Sequence, residues 1–361
     1  MALYKKIFIL VTFLCLFGIL MVYSSSQIWA KYKMNNEYYF LIRQSLFFLI
    51  GFCMMILVSR IDYMYYKKYA SYIYFCCLIL LILVLIPGIG LVRGGARSWI
   101  GVGQFTIQPS EFIKFALIII FSKYLSNHDL DIKKLKYIIL LGIFLLLNFF
   151  LIMLQPDFGT AVVLLITISI LIFIAGINMK YVILAVIGII IGFGFMIVLS
   201  PYRLERIFSF LNPWEDPLGS GFQIIQSLYA ISPNGLFGLG LFNSIQKFYY
   251  LPEPQTDFIF AIITEELGLI GAIFLIYLFS LFFYYGLKTA INIKNKFGMY
   301  LSIGITSLIF VQFFINIGVV IGLLPVTGIT LPFISYGGSS LALNLISVGI
   351  LINISKSVKE Y

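Results

Sequence analysis

Apolar runs of roughly 20 residues recur along almost the whole chain and are separated by shorter polar connections. A run of that length crosses the hydrocarbon core of a bilayer as a helix, because lipid offers no partner to an unpaired backbone group. The runs are continuous and do not alternate, which excludes an outer-membrane barrel. Mean hydropathy is +1.06 and 61% of the residues are apolar, so an ordinary soluble domain is excluded too. The sequence therefore predicts an all-α polytopic membrane protein.

Ten transmembrane helices are predicted, within a single transmembrane domain that covers residues 1–361. The predicted spans are residues 7–24, 41–59, 69–88, 110–126, 136–154, 159–177, 180–200, 258–286, 298–323 and 334–354. Lys and Arg are about twice as frequent in the segments on the N-terminal side of the membrane, so both termini are predicted to be cytoplasmic. The net charge of +10 largely reflects this bias, and no nucleic-acid partner is predicted. Residues 201–257, between the seventh and eighth spans, form a large extracytoplasmic loop.

Few side chains are available for acid–base chemistry. The single histidine, His128, lies in a basic polar loop, so the chain has almost no histidine side chains from which to build a catalytic triad or a zinc site. The four cysteines lie inside apolar runs, where packing is their usual role. Acid–base chemistry must therefore come from carboxylates, lysines or tyrosines.

The stretch LPEPQTDFIFAIITEELG concentrates carboxylates where a polar loop meets an apolar run, and charges at a membrane boundary are costly. Its acidic residues are Glu253, Asp257, Glu265 and Glu266. Thr256 is predicted to cap the eighth span, with Asp257 in the first helical turn. Asp257 is then either a capping and dipole residue or a general base at the membrane surface. Glu265 and Glu266 fall one or two turns deeper, where we expect them to pair with Lys, Arg or polar loop atoms.

A second charged constellation lies in QPSEFIKFA, at the start of the fourth span. Ser110 is predicted to cap this helix, and the i,i+3 spacing puts Glu111 and Lys114 on one helix face. An ion pair inside a span is either a buried structural bridge or part of a lined cavity. The structural bridge is favoured, because Lys114 is too deep to reach the interface easily. Asp157, in QPDFGT, is predicted to cap the sixth span.

Three Gly- and Pro-rich loops on the outer side predict a site assembled at the outer surface. They contain four arginines, namely Arg93, Arg97, Arg203 and Arg206. These arginines either anchor headgroups or bind phosphate, for which guanidinium geometry is suited. Trp99 is typical of an interfacial belt residue. The run SYGGSS, which contains Ser339, is typical of a tight turn that lets backbone approach a ligand or a neighbouring helix.

Five segments resemble the SEDS family (shape, elongation, division and sporulation), the FtsW/RodA/SpoVE group, and they occur in the order of that family. The segments are GGARSWIGVGQFTIQPSEFIK, QPDFGTA, ERIFSFLNPWEDPLGSGFQIIQSLYAI, LPEPQTDFIFAIITEELGLIG and LPVTGITLPFISYGGSS. The resemblance covers nearly the whole chain. Two stretches, GFQIIQSLYAISPNGLFGLGL and YLPEPQTDFIFAI, are more similar to the FtsW/SpoVE branch than to RodA.

The resemblance implies a peptidoglycan glycosyltransferase that polymerises lipid II at the outer face of the bacterial cytoplasmic membrane, for cell division or sporulation. It implies a class B penicillin-binding protein, a transpeptidase, as partner, together with other membrane proteins of division or sporulation. The family's essential aspartate falls on Asp257, which then acts as catalytic base. The family's charged pair falls on Glu111 and Lys114.

The leaving group of that reaction is undecaprenyl diphosphate. Because a diphosphate leaves readily, cations matter more than a general acid. The candidate cations are Arg97, Arg203, Arg206 and Lys114, and a divalent ion, Mg²⁺ or Mn²⁺, is a further candidate without assigned ligands. The predicted substrate-binding residues are Arg97, Trp99, Arg203, Arg206, Glu253, Thr256 and Ser339.

Two other functions remain open at this point. A lipid II flippase also fits many spans with intramembrane charges, although a transporter usually places its site near the midplane on broken helices. A non-catalytic scaffold for a cell-wall synthase would not need Asp257 at all.

Overall fold

The structure, a computed structural model, describes residues 1–93, 95–102, 105–127, 135–178, 180–181, 183–184, 188, 192, 208–232, 235–248 and 250–358. Its helices are α1 (Leu3–Met34), α2 (Tyr39–Val58), α3 (Met64–Leu83), α4 (Pro109–Leu125), α5 (Leu135–Met153), α6 (Phe158–Ile174), α7 (Phe222–Ile231), α8 (Ile259–Asn292), α9 (Lys296–Val320) and α10 (Gly338–Lys356). The strands β1 (Gly90–Arg93), β2 (Ala96–Val102) and β3 (Phe105–Ile107) lie between α3 and α4, and a 3₁₀ turn, Pro213–Glu215, precedes α7.

The multi-pass helical fold predicted from the apolar runs is confirmed. Among the described residues, seven helices are long and apolar enough to cross a membrane: α1, α2, α3, α5, α8, α9 and α10. α4 and α6 coincide with the predicted fourth and sixth spans and have 17 residues each. The predicted seventh span, 180–200, falls almost wholly outside the described residues. The number of ten spans therefore stays a prediction.

A small antiparallel sheet adds to the helical fold that was predicted. Its strand order is β1-β2-β3, and it occupies the connection between α3 and α4, which the sequence predicts to be an outer loop. Gly95, just before β2, has a φ of +80°, which glycine adopts without a steric penalty. The pairing register shifts between Leu91 and Val92, so Ser98 of β2 is an extra residue between Arg97 and Trp99, a β-bulge that interrupts the alternation of side chains.

Small residues allow α2 and α10 to pack with their backbones in close contact. A Cβ atom added to Gly51 of α2 would lie 3.1 Å from the Cα of Ala342. A Cβ atom added to Gly349 of α10 would lie 2.6 Å from the carbonyl oxygen of Met55. Such small-residue contacts are typical of helix pairs in membranes, where close packing replaces the hydrophobic effect as the driving force.

One end of the bundle carries lysines from several helices. Lys6 of α1 lies over the Tyr285 ring of α8, with 5.7 Å between the ammonium and the ring centroid. The Lys356 ammonium of α10 donates a hydrogen bond of 2.9 Å to the Ser59 carbonyl, just after α2. The start of α1 and the ends of α2, α8 and α10 therefore lie together at this lysine-rich end, which the charge bias predicts to be cytoplasmic.

α8 is broken at Gly268. This residue has φ 65° and ψ −162°, which no residue inside a helix adopts. α8 therefore consists of a short N-terminal arm, residues 259–267, and a long helix, residues 269–292. The arm joins the break to Asp257, which makes the break important for the site.

Candidate active site

Asp257 is half-buried and lies just before α8. The prediction that it stands in the first turn of a helix capped by Thr256 is wrong, because α8 begins at Ile259 and no acidic residue lies in its first turn. The reason is a turn that closes before the helix, in which the Thr256 amide donates to the Glu253 carbonyl at 3.1 Å. The Thr256 hydroxyl lies 2.7 Å from the same carbonyl and 2.9 Å from Asp257 Oδ1. The Thr256 hydroxyl thus bonds within this turn instead of capping the helix, and its oxygen lies beside the Asp257 carboxylate.

Two neighbouring elements hold the backbone around Asp257. Asn316 of α9 is buried, and its Nδ2 donates to the carbonyl oxygens of Asp257, at 2.7 Å, and Ile329, at 2.8 Å. Both partners are acceptors, so the NH₂ group of this amide must face them. The Tyr336 amide donates to the Gln255 carbonyl at 2.8 Å. The backbone near Asp257 is therefore tied to α9 and to residues 321–337, which connect α9 with α10.

The connection 321–337 contacts α2, and the start of α10 that follows it contacts the sheet. The Ser335 carbonyl accepts a hydrogen bond of 3.0 Å from Nε2 of Gln44 in α2. Ser339, in the first turn of α10, is buried, and its hydroxyl donates to the Thr106 carbonyl of β3 at 3.2 Å. The structure therefore places Ser339 where α10 meets the sheet.

The charged pair of α4 makes the contact that its spacing predicts. Lys114 Nζ lies 2.7 Å from Glu111 Oε1, and the two side chains are 2% and 10% exposed. The prediction that Ser110 caps this helix is wrong, because α4 begins at Pro109 and Gln108 is its N-cap. Proline is preferred at the first helical position, where its missing N–H has no helical partner, and the cap lies two residues upstream of Ser110.

Asp157 joins the starts of α4 and α6. Its Oδ1 accepts a hydrogen bond of 3.2 Å from the Thr160 amide, so the predicted cap of α6 is confirmed. Its Oδ2 accepts from Gln108 Nε2 at 2.8 Å and from the Ser110 hydroxyl at 3.1 Å. A single carboxylate thus sets the relative position of the two helix starts.

The α4 pair and Asp257 lie at the same end of the bundle. Gly159, at the start of α6, packs on the 321–337 connection, since a Cβ atom there would lie 2.5 Å from the Thr327 carbonyl oxygen. The same connection is bonded to Asn316, which holds Asp257. The starts of α4 and α6 therefore face the connection that encloses Asp257.

Breaking the α4 ion pair from one side is expected to destabilise the protein strongly. In Lys114→Met, the Glu111 carboxylate stays buried without its partner, which costs about 3–5 kcal/mol. Glu111→Gln/Lys114→Met removes both charges and should cost less. Thermal unfolding in detergent measures the difference, with Lys288→Met, at an exposed position, as control. A double variant as unstable as Lys114→Met would contradict the interpretation as a buried bridge.

The other predicted substrate-binding residues have different surroundings. Arg97 and Trp99 are half-buried on β2. Glu253 is exposed and has a φ of +44°, a strained conformation of the kind that clusters at functional sites. Arg203 and Arg206 lie outside the described residues.

The break in α8 is filled by residues 235–247, here called the clasp. Two clasp amides donate to carbonyls before the break: Leu239 N to Glu265 O and Gly240 N to Glu266 O, both at 2.9 Å. Two α8 amides after the break donate to clasp carbonyls: Leu269 N to Gly235 O at 3.2 Å and Ile270 N to Leu236 O at 3.1 Å. In an unbroken helix these same four α8 groups would pair with each other, residue 269 with 265 and residue 270 with 266. The clasp thus satisfies the backbone groups that the break releases, as a membrane environment requires.

The side chains of Glu265 and Glu266 bind the clasp and α1, which confirms that they are structural partners. Both carboxylate oxygens of Glu266 lie 2.6–2.7 Å from the Ser24 hydroxyl of α1. Glu266 also forms a salt bridge of 3.2 Å with Lys247, and both side chains are buried. Glu265 accepts a hydrogen bond of 2.5 Å from the Ser244 hydroxyl and further bonds from clasp amides.

Asp257 and Glu266 are held by residues of α9 and α1 that are similarly far along their helices from the lysine-rich end. Asn316, which holds Asp257, is about 20 residues from the lysine-rich end along α9, and Ser24, which holds Glu266, is about as far along α1. Both distances correspond to about 30 Å, the thickness of a hydrocarbon core. The prediction that Glu265 and Glu266 lie one or two turns deeper in the membrane than Asp257 stays a prediction. Because α8 breaks at Gly268, the arm and the long helix do not form one continuous helix.

Among the described residues, no group of three or more His, Cys, Asp and Glu side chains is placed to hold a metal ion. Mg²⁺ often binds through one or two carboxylates together with substrate phosphates. Asp257 and a substrate diphosphate are the donors that would suit such an ion at this site.

Several residues of the site were not found from the sequence. Asn316 is a polar side chain within an apolar run, which was a usable signal. The glycines of GLFGLGL and EELG marked places where backbones approach closely, and Lys247 was assigned only to an outer loop.

The fold and the site define a class of protein, namely a multi-pass membrane protein with a half-buried carboxylate, Asp257, near the end of its bundle opposite the lysine-rich end. The model of the FtsW/RodA/SpoVE family, described as cell cycle protein, matches residues 4–360. The chain belongs to this family, as its five motifs predicted.

The similarity to individual relatives extends over nearly full lengths. The chain is 51% identical to stage V sporulation protein E of Bacillus subtilis (strain 168), over 96% of each chain. It is 42% identical to the probable peptidoglycan glycosyltransferase FtsW of Geobacter metallireducens, over 95% of this chain and 92% of the relative. These values agree with the predicted FtsW/SpoVE branch.

Two solved structures share the fold. One is a chain from a study of the structural coordination of polymerization and crosslinking by a peptidoglycan synthase complex, with a TM-score of 0.79, 28% identity and 96% of both chains covered. The other is the rod shape determining protein RodA of Thermus thermophilus, with a TM-score of 0.73 and 24% identity over 98% of this chain and 97% of that one.

Proposed function

We propose that this protein is a peptidoglycan glycosyltransferase that polymerises lipid II at the outer face of the membrane. The observation that carries the proposal is Asp257, a half-buried carboxylate whose backbone is held from α9 near the end of the bundle opposite the lysine-rich end. Relatives over nearly the full chain are named as probable peptidoglycan glycosyltransferases.

Asp257 acts as the general base. Its carboxylate takes the proton of an acceptor sugar hydroxyl while the hydroxyl oxygen forms a bond to the anomeric carbon of the donor. The bond from that carbon to the diphosphate oxygen breaks, and its electron pair leaves with undecaprenyl diphosphate. The anomeric centre is inverted, since a single displacement occurs. The Thr256 hydroxyl oxygen lies 2.9 Å from Oδ1 of this carboxylate.

Cations stabilise the charge that develops on the diphosphate. Arg97 on β2 is the described candidate, and Arg203 and Arg206 are candidates outside the described residues. Lys114 already carries an ion pair with Glu111, so its main role is structural. A divalent cation, when bound, supplies further positive charge beside Asp257 and the diphosphate.

The membrane position of the site suits a substrate with a lipid tail. Asp257 lies near one boundary of the hydrocarbon core, where a diphosphate headgroup stands while its polyprenyl chain stays in the bilayer. This placement lets one substrate molecule after another reach the base by diffusing in the membrane.

A class B penicillin-binding protein is the proposed partner, because new glycan strands need a transpeptidase. The proposal is supported by the similar chain from a peptidoglycan synthase complex that coordinates polymerization and crosslinking. Other division or sporulation membrane proteins are proposed as further partners, in line with the relative named for sporulation.

A flippase is the second candidate, since α8 is a broken helix and transporters use broken helices to bind substrates. Here, however, the four α8 backbone groups at the break are paired with the clasp, so they are not offered to a substrate. A scaffold without catalysis is the third candidate.

Purified protein in liposomes with lipid II separates these functions. We expect glycan strands on a gel, with and without the partner transpeptidase, and more product with the partner present. If folded protein makes no polymer in either case, the proposed polymerase is wrong. Transbilayer movement of a labelled lipid II in the same liposomes would then identify a flippase, and no movement would favour a scaffold.

A further inference from the structure

We propose that Lys247 and Glu266 are positioning residues for Asp257, an inference that rests on the proposed polymerase function. They lie in the clasp and at the far end of the arm, away from the proposed base. The geometry assigns them an effect on the reaction through the arm, residues 259–267, which connects them to Asp257.

The arm is held at both ends. At its near end, Asn316 binds the Asp257 carbonyl. At its far end, the arm is no longer continuous with the long helix, since Gly268 breaks the helical path. Its direction therefore depends on the clasp and on α1, the elements that bind Glu265 and Glu266.

The salt bridge between Lys247 and Glu266 is the central contact of the far end. The two side chains are 1% and 0% exposed, so neither charge has water as an alternative partner. Lys247 Nζ also donates to the Phe242 carbonyl at 2.5 Å, which holds the lysine within the clasp. Glu266 extends the network to Ser24 of α1. Clasp, arm and α1 are thus joined through one buried ion pair.

Losing this pair loosens the far end of the arm, which keeps its backbone bonds, the Glu265 bonds to the clasp and the Ser24 contact to α1. A buried carboxylate without its cation is strongly unfavourable, so the arm moves to let Glu266 reach water. The near end acts as the pivot, and Asp257 turns with the arm. Catalytic geometry is sensitive to such shifts, since a displacement of about 1 Å can lower a rate by about 100-fold.

The test compares Lys247→Met with Lys247→Arg and with Lys288→Met, a control lysine at an exposed position of α8 near the lysine-rich end. For lipid II polymerisation by Lys247→Met we expect kcat to fall by about 10- to 100-fold with KM within about twofold of the parent. Lys247→Arg should recover most of kcat, because it keeps the charge. Lys288→Met should behave as the parent.

Hydrogen exchange provides a readout that does not depend on activity. In Lys247→Met, amides of residues 257–267 should exchange at least about tenfold faster than in the parent, while those of α10 stay unchanged. If exchange in the arm and kcat both match the parent, the proposal is overturned. If the parent itself makes no polymer, the polymerase function has failed, and the exchange data still decide whether the pair holds the arm.

A double-mutant cycle keeps the proposal testable even if Lys247→Met misfolds. Glu266→Gln/Lys247→Met leaves no unpaired charge, so it should fold better than Lys247→Met and lose less of kcat than the product of the two single effects. A loss equal to that product would show that the two residues act independently, which contradicts the proposal.

Discussion

Asp257→Asn is expected to lower the rate of lipid II polymerisation by at least about 100-fold, because a positioned general base contributes about 10²- to 10⁴-fold. The amide cannot take the hydroxyl proton, yet it has nearly the same shape. The Asn316 bond to the carbonyl of residue 257 involves only backbone at that position, so it is kept. Folding and membrane insertion should therefore match the parent. Glycan strands separated on a gel provide the measurement, with purified protein in lipid.

Asp62→Asn is the matched control for this substitution. Asp62 is an exposed aspartate beside the start of α3, where its Oδ1 accepts a hydrogen bond from the Met64 amide. The same chemical change there should leave polymerisation within about twofold of the parent, because it is not part of the site and exposed substitutions are usually mild. If Asp257→Asn polymerises lipid II at the parent rate, Asp257 is not the base.

Gly268→Ala is expected to destabilise the protein by more than about 3 kcal/mol. The conformation at Gly268 belongs to a region of backbone space that is almost restricted to glycine and costs other residues about 1–3 kcal/mol. The added Cβ atom would also lie 2.4 Å from the Gly238 nitrogen and 2.5 Å from the Leu236 carbonyl oxygen. Backbone atoms cannot move aside without opening the clasp. Thermal unfolding in detergent should show a large loss, and polymerisation should fall with it.

Gly176→Ala separates the backbone conformational cost of losing glycine from the steric clash of the added Cβ atom. Gly176 has a φ of +92°, but a Cβ atom added there would meet no atom within 4 Å, so only the left-handed backbone cost of about 1–2 kcal/mol applies. Gly238→Ala should resemble Gly268→Ala, because its Cβ atom would lie 2.5 Å from the Gly268 nitrogen. Equal effects of Gly268→Ala and Gly176→Ala would show that the clasp does not fill the break tightly.

Local patterns in the sequence predicted most of the helices and several of their contacts. Long apolar runs must be helical in lipid, so the seven described membrane helices could be located in advance. The i,i+3 spacing predicted the contact between Glu111 and Lys114, since a helix places these residues on one face. The cap formed by Asp157 was also predicted, because an aspartate before a helix can bond the free amides of the first turn.

Predictions failed where distant parts of the chain decide the local conformation. The eighth span was predicted to be one continuous helix, because an apolar pattern does not show that a glycine leaves the helical conformation. The break is stable only because the clasp, more than 20 residues upstream, supplies partners for the released backbone groups. The helix start was misplaced for a related reason, since the turn at Glu253 uses the Thr256 side chain that would otherwise cap.

The sequence by itself determined that the chain is a multi-pass membrane protein of a recognisable family and that Asp257 is the carboxylate to test. These conclusions depend on composition, on local spacing and on motif order, which are properties of the chain alone. Only the tertiary structure decided where Asp257 stands, because its position is set by Asn316 and by an arm anchored through Lys247 and Glu266. Burial of these polar groups forces them to find partners within the protein, and those partners come from segments far apart in the chain.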